Sequence, residues 1–282
     1  MELIVAKTAG FCMGVDMALH KLDNAVSSIS HNGRIYTLGP IIHNPQVLAR
    51  YNSQGVLQTD GNQPLKATDV VVIRAHGIPR DELQKLVRQK VTIVDATCPK
   101  VKKAQVLIQR QADQNKHLLL FGERDHPEVR GLVSYAPEHT IFESIEELQA
   151  MAIEPVRTYF LAAQTTQDRE SFKAIRQYLT MHIDSKMTIL DTICTATKER
   201  QEEVRELSGI VDGMVVVGGK NSGNTRRLAQ IAQEAGIYAV HVETAAELPM
   251  KELARFNRVG LTAGASTPSW IIQEVVQALQ EV

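Results

Sequence analysis

The chain has 282 residues, 44% of them hydrophobic, and a formal net charge of −1. That composition describes a globular protein with room for one large core or several small ones, and it excludes a disordered or fibrous chain. Near-neutral charge removes the electrostatic case for nucleic acid or an anionic membrane as partner, and no apolar run approaches the roughly 20 residues of a membrane span.

Met1 leads straight into a strand-like segment rather than a charged, then apolar, leader, so the expected location is cytoplasmic and the expected partner a small molecule. The first strand candidate, "LIVA" at 3–6, runs into "TAGFCMGVDMALHKL", which sets Cys12 at a strand-to-helix turn. The loop "IIHNP" then offers His43, and "VVVI" at 70–73 leads to "RAHGIP" with His76. "VTIV" at 91–94 runs through "DATC" to Cys98 and a helix. "HLLLF" at 117–121 precedes "RDHPEV", with His126 and Glu128 at a helix start. "TYFLA" at 158–162 precedes "QTTQD", with Thr165 and Thr166, and "MTIL" at 187–190 leads through "DTIC" to Cys194 and a helix. Last come "MVVV" at 214–217, before "GGKNSGNTRRL" with a helix from about Thr225, and "VGLT" at 259–262, before "TAGASTPSW", where Pro268 opens a helix.

Short Val/Ile/Leu runs alternating with amphipathic stretches predict an α/β fold of mostly parallel strands, whose ligands bind beyond the carboxyl ends of those strands. The three cysteines recur at similar intervals, each after a strand and before a helix. This predicts three similar small α/β units arranged pseudo-threefold around a central site: residues 14–97, 98–193, and 194–282 joined by 1–13. A lone cysteine reads as a small buried hydrophobe. These three instead stand where helix N–H groups favour a thiolate. No CxxC pair or fourth cysteine suits structural zinc. Three dispersed thiolates suit a 4Fe-4S cluster with one open iron, which supplies electrons and Lewis acidity.

Loop histidines next to proline or glycine can bind phosphate, and strand-to-helix loops containing Lys220, Asn221, Ser222, Asn224, Ser266 and Thr267 have anion-site chemistry. A diphosphate substrate follows. The same loops read alternatively as turns and helix caps. By position alone Glu128 is an ordinary surface residue of a first helical turn, and His20, His31, His117, His139, His182 and His241 are ordinary solvated turn residues.

Taken in order from about residue 4 to 280, "GFCMGV", "IIHNP", "AHGI", "DATCP", "HPEV", "QTT", "GGKNSGNTRRL" and "TAGAS" resemble the 4-hydroxy-3-methylbut-2-enyl diphosphate reductase family, which closes the methylerythritol phosphate route to isoprenoid precursors. The resemblance implies a 4Fe-4S cluster on Cys12, Cys98 and Cys194, and reductive removal of an allylic hydroxyl to give isopentenyl and dimethylallyl diphosphates. It further implies that Glu128 delivers a proton and that Thr165 lies near the hydroxyl. By the same resemblance His43, His76, Ser222, Asn224 and Ser266 would bind the diphosphate, and His126 would bind it or assist proton delivery. Gly223 stands where many members carry a second serine, so a hydroxyl contact is missing there. An external electron donor, ferredoxin or flavodoxin, is implied as well. Three other readings compete: a 4Fe-4S lyase or synthase of the quinolinate synthase kind, a non-catalytic iron–sulfur redox sensor, and a plain phosphate-binding α/β protein with buried cysteines.

Overall fold

The computed structural model describes residues 1–28, 33–154 and 156–281. The chain opens on β1 (Glu2–Val5) and α1 (Met13–Ser28). Then come β2 (Ile35–Leu38), α2 (Pro45–Ser53), β3 (Val56–Thr59), β4 (Val70–Ile73), α3 (Arg80–Arg88), β5 (Thr92–Asp95) and α4 (Pro99–Ala112). A third stretch gives β6 (His117–Phe121), α5 (Pro127–Val133), β7 (His139–Phe142), α6 (Ile145–Ala150), β8 (Tyr159–Ala163), α7 (Arg169–His182), β9 (Thr188–Ile189) and α8 (Thr195–Ser208). The last gives β10 (Gly213–Val217), α9 (Gly223–Glu234), β11 (Tyr238–Val242), α10 (Met250–Leu253), β12 (Arg258–Ala263) and α11 (Ser269–Gln280).

The strands form three four-stranded sheets, parallel throughout, in the orders β1-β12-β10-β11, β5-β4-β2-β3 and β9-β8-β6-β7. Read from the edge strand that precedes a cysteine, the plan is the same three times. In the first sheet that edge strand comes from the N-terminus and pairs with β12 near the C-terminus. In each sheet the chain leaves an inner strand (β2, β6 or β10) for an outer neighbour, then returns to the opposite side of that inner strand. Loops after the two inner strands therefore diverge and open a crevice, the usual ligand position in such sheets. Register makes these loops leave side by side: Leu38 pairs with Ile73, Phe121 with Ala163 and Val217 with Ala263 at the carboxyl ends.

By compactness the chain divides into two units. The first comprises Met1–Asp16, Ile42–Arg50 and Thr195–Val282, and holds the first sheet; the second comprises Met17–Ile41 and Tyr51–Cys194, and holds the other two.

Strand periodicity explains the cores. Leu119, Phe121, Leu161 and Ala163 face α7, whose Phe172, Ile175 and Leu179 follow helical spacing. Leu118, Leu120, Phe160 and Ala162 face the opposite way, onto Ala104 and Ile108 of α4 and Val129 and Leu132 of α5. In the first sheet Val215 and Val217 pack toward Ile271, Val275 and Leu279 of α11, while Met214 and Val216 pack toward Val204 of α8 and Leu228 of α9. Each Val, Leu, Ile, Met or Phe among them contributes about 2 kcal/mol when fully buried, enough to lock both layers onto the sheet.

The eight strand segments expected from the sequence are all strands, with no end shifted by more than one residue. Four more exist: β2, β3, β7 and β11. The last three are outer strands with half-exposed patterns, so they lack the continuous apolar run of a strand buried on both faces. Two helix starts also move: α9 begins at Gly223 rather than near Thr225, and Pro268 caps α11 from outside rather than opening it.

Candidate active site

None of the three cysteines is in a disulfide; all are half-buried, and each occupies the residue immediately before a helix. Cys98 is the N-cap of α4 with Pro99 behind it, and its carbonyl accepts the N–H of Lys102 at 3.0 Å. Cys12 stands likewise before α1, its carbonyl accepting the N–H of Asp16 at 3.0 Å, and Cys194 precedes α8. The backbone N–H of each donates to a loop on the neighbouring strand: Cys12 to Ala265 O at 3.2 Å, Cys98 to Ala75 O at 2.9 Å, Cys194 to Thr165 O at 2.9 Å. Each acceptor is the second residue of a matching turn, closed by Thr267 N–H to Gly264 O, Gly77 N–H to Arg74 O, and Gln167 N–H to Gln164 O. One local device, repeated, thus presents each sulfur at the positive end of a helix macrodipole.

In the second unit, α5 and the loop after β8 build an acid. His126 caps α5: its Nδ1 accepts the Glu128 N–H at 3.1 Å, so the ring is the neutral tautomer with a proton on Nε2. Glu128 is 1% exposed. Thr165 donates to both of its oxygens, N–H to Oε1 at 2.6 Å and hydroxyl to Oε2 at 2.9 Å. Burial pushes the carboxyl up to about 7 even though the Thr165 bonds pull it down. Glu128 is therefore a buried carboxylic acid poised near neutrality, not the surface residue its helix position suggested. His76, from the loop after β4, meets the His126 ring edge-on with centroids 5.4 Å apart. Gln164, wholly buried, ties the two loops of this crevice together by accepting the Glu123 N–H at 3.0 Å and donating to Thr166 Oγ1 at 3.1 Å. Sequence inspection passed over it because a glutamine after a strand has no distinctive signature.

The Glu128 shift has a stability consequence. Between the ordinary 4.5 and about 7, the folded chain keeps a proton that the unfolded chain has released. Stability contributed by this group therefore falls as pH rises through that window, by about 3 kcal/mol at most. Urea midpoints for wild type and Glu128→Gln at pH 5 and pH 8 should show the variant gaining on wild type at the higher pH. Parallel pH dependence in the two would contradict the assigned burial.

In the first unit, the loops after β10 and β12 meet the His43 segment. Gly219 lies so close to the His43 carbonyl that a Cβ there would stand 2.5 Å from that oxygen, so only glycine fits. Ser266 donates its hydroxyl to the same carbonyl at 3.2 Å. Ser222 is the N-cap of α9 and accepts the Thr225 N–H. Gly223 and Asn224 fill the first turn, both buried, and Asn224 Nδ2 has no acceptor among the described residues. An anion at this helix start would satisfy it. Lys220 does not serve this purpose, because its ammonium pairs with Glu247 at 2.6 Å. Cys12, His43, Ser222, Gly223, Asn224 and Ser266 thus belong to the first unit, and Cys98, Cys194, His76, His126, Glu128 and Thr165 to the second.

Among the described residues the other histidines are not turn residues. His117, His139 and His241 lie in strands, and His20 and His182 in helices; His31 lies outside the described residues. His241 Nε2 bonds Gly218 O at 2.8 Å and so steadies the β10 loop. The second unit also holds a polar cavity of about 670 Å³, lined by Gly39, Asp60, Arg74, Glu82 and Arg130 among others, with Arg130 and Glu82 paired at 3.3 Å. None of the expected site residues lines it.

Comparison with known proteins gives consistent matches. The LytB protein family model matches residues 3–280. A 4-hydroxy-3-methylbut-2-enyl diphosphate reductase of Desulfovibrio desulfuricans is 56% identical over 278 residues, 96% of either chain, and one of Aquifex aeolicus is 39% identical over all of this chain and 97% of its own. Among solved structures, the E-1-hydroxy-2-methyl-but-2-enyl-4-diphosphate reductase of Plasmodium falciparum superposes with a TM-score of 0.93 at 27% identity, covering 99% of this chain and 88% of that one. The structure of (E)-4-hydroxy-3-methyl-but-2-enyl diphosphate reductase, the terminal enzyme of the non-mevalonate pathway, gives 0.71 at 38% identity with full coverage of both chains.

Proposed function

The chain belongs to the LytB family, and on that premise we propose that it is an iron–sulfur reductase of (E)-4-hydroxy-3-methylbut-2-enyl diphosphate. The reaction consumes two electrons and two protons: the allylic C–O bond breaks, the oxygen leaves as water, and a new C–H bond gives isopentenyl or dimethylallyl diphosphate. As the terminal step of the non-mevalonate pathway, it requires an electron donor.

Thr165 carries the reading. Its N–H and hydroxyl hold the buried Glu128 carboxyl, while its carbonyl accepts the N–H of Cys194, so one residue joins a proton donor to a thiol loop. Hydroxide is a poor leaving group, and Glu128, a carboxylic acid up to about pH 7, delivers the proton that lets it depart as water. Thr165 aims that carboxyl and lies beside the hydroxyl being removed.

We assign Cys12, Cys98 and Cys194 as ligands of a 4Fe-4S cluster. The donor set fits: three cysteines outside any disulfide, all before helices, and no fourth cysteine in the chain, which leaves one iron open. When bound, such a cluster supplies electrons and Lewis acidity at the open iron. His43, His76, His126, Ser222, Asn224 and Ser266 hold the diphosphate, with the Gly223 N–H in place of the missing serine hydroxyl. The sequence-based domain division, 14–97, 98–193 and 194–282 with 1–13, is supported by each range containing one complete sheet. Ferredoxin or flavodoxin supplies the electrons, and cysteines outside any disulfide suit the cytoplasm as a reducing compartment. Among the described residues no helix is long and apolar enough to cross a membrane.

The test is turnover under anaerobic conditions with a reduced carrier, with both product diphosphates expected; reduced, iron-loaded protein that leaves the substrate unchanged would contradict the proposal. For the anion site, Asn224→Ala should weaken substrate binding to the oxidised, non-turning-over protein about tenfold, the cost of one hydrogen bond to a charged group. Gly223→Ser should shift affinity modestly. Calorimetry decides, and unchanged binding in both variants would remove α9 from the site.

A further inference from the structure

We infer that Arg200 and Glu203 of α8 are positioning residues that hold the Lys7–Cys12 loop in the shape that presents Cys12 to the cluster. The inference rests on the reading of Cys12 as a ligand.

The loop has no helix or strand of its own, yet its backbone is anchored from two sides. From α8, Glu203 Oε1 accepts the Lys7 N–H at 2.6 Å, and Oε2 accepts both the Thr8 N–H at 2.9 Å and the Thr8 hydroxyl. Arg200, only 5% exposed, donates from Nη2 to the Gly10 carbonyl at 2.7 Å and from Nη1 to Ala196 O at 3.0 Å. From the other side, Ala265 O receives the Cys12 N–H, and Gly10, at φ +106°, lies against Ile272 and the Thr267 carbonyl. Lys7, Thr8, Gly10 and Cys12 are each tied down.

Burying a guanidinium is costly unless it makes strong, directed hydrogen bonds, and the main-chain partners here mean that it fixes backbone shape. Burial raises the Glu203 carboxyl, but the bonds from Thr8 and Lys7 outweigh it and hold the group below the ordinary range, so it is an ionised acceptor at neutral pH. Because α8 starts at Thr195, next to Cys194, the helix that follows one proposed ligand grips the loop of another. Residues that orient metal ligands commonly affect metal affinity by 10- to 100-fold.

The test uses full-length Glu203→Gln, which keeps size but loses the anionic double acceptor, beside wild type and Cys12→Ser. Circular dichroism first confirms that the metal-free variants fold. Mass spectrometry then follows iodoacetamide alkylation of each cysteine in metal-free protein, and a chelator measures iron release after anaerobic reconstitution. The expected result is about tenfold faster alkylation at Cys12 alone, with Cys98 and Cys194 unchanged, and about tenfold faster iron release. Unchanged Cys12 alkylation and iron release in folded Glu203→Gln would overturn the inference. If that variant fails to fold, Thr8→Val, which removes only the hydroxyl bond, carries the same comparison with an expected effect of about threefold. A wild-type chain that takes up no iron sinks the ligand assignment itself, and is recognisable before any variant is examined.

Discussion

Replacing Glu128 by glutamine should slow single turnover of the reduced protein by about 10²- to 10⁴-fold, the range expected when a positioned general acid is lost. Glutamine is nearly isosteric, and Glu128 is no part of the proposed cluster ligation or diphosphate site, so iron content and substrate affinity should stay close to wild type. The amide also accepts at one atom only, so of the two bonds now made by Thr165 one is lost. In wild type the rate should fall as pH rises above about 7, where the carboxyl loses its proton, and the variant should lose that limb. Rapid-quench kinetics across pH 6–9 measure both. A variant rate within threefold of wild type, with the same pH profile, would show that the proton comes from elsewhere.

Cys194→Ser should abolish stable cluster binding. Serine keeps the backbone N–H that donates to Thr165 O, so the local fold should survive, but it replaces a soft sulfur donor by a hard oxygen. Iron and sulfide after reconstitution should drop to a small fraction of wild type, or leave rapidly to a chelator, while the circular dichroism of the metal-free chain is unchanged. Full iron content with an unaltered spectrum would remove Cys194 from the ligand set.

What the sequence revealed, and what it hid, follows from the range of the interactions. Strands buried on both faces, such as Val70–Ile73 and His117–Phe121, are visible as apolar runs because their environment is apolar on every side. The outer strands β3, β7 and β11 are partly exposed along their length, lack such a run, and were missed. The position of each cysteine before a helix is local and therefore legible. The acid at Glu128 is not: a glutamate in a first helical turn looks solvated, and only contact with Thr165, 37 residues later, shows it to be buried and poised. Arg200 and Glu203 read as ordinary charges in "TKERQEEVREL", and their work becomes visible only when the fold returns the N-terminal loop across 190 residues or more of chain. His241 was hidden in the same way, since its partner Gly218 lies 23 residues away. Motif spacing reports what a residue's neighbours in sequence require; hydrogen bonds between loops of different strands leave no trace in it.

The central claim is that three thiols hold an iron–sulfur cluster with one iron left open to substrate. The most direct test is to purify the chain without oxygen, assay iron and acid-labile sulfide, and record the oxidised cluster's Mössbauer spectrum before and after adding the allylic diphosphate. The account predicts iron and sulfide in equal amounts and a spectrum that shifts on substrate addition. A chain that stays metal-free after anaerobic reconstitution, or a cluster whose spectrum ignores the substrate, would contradict it.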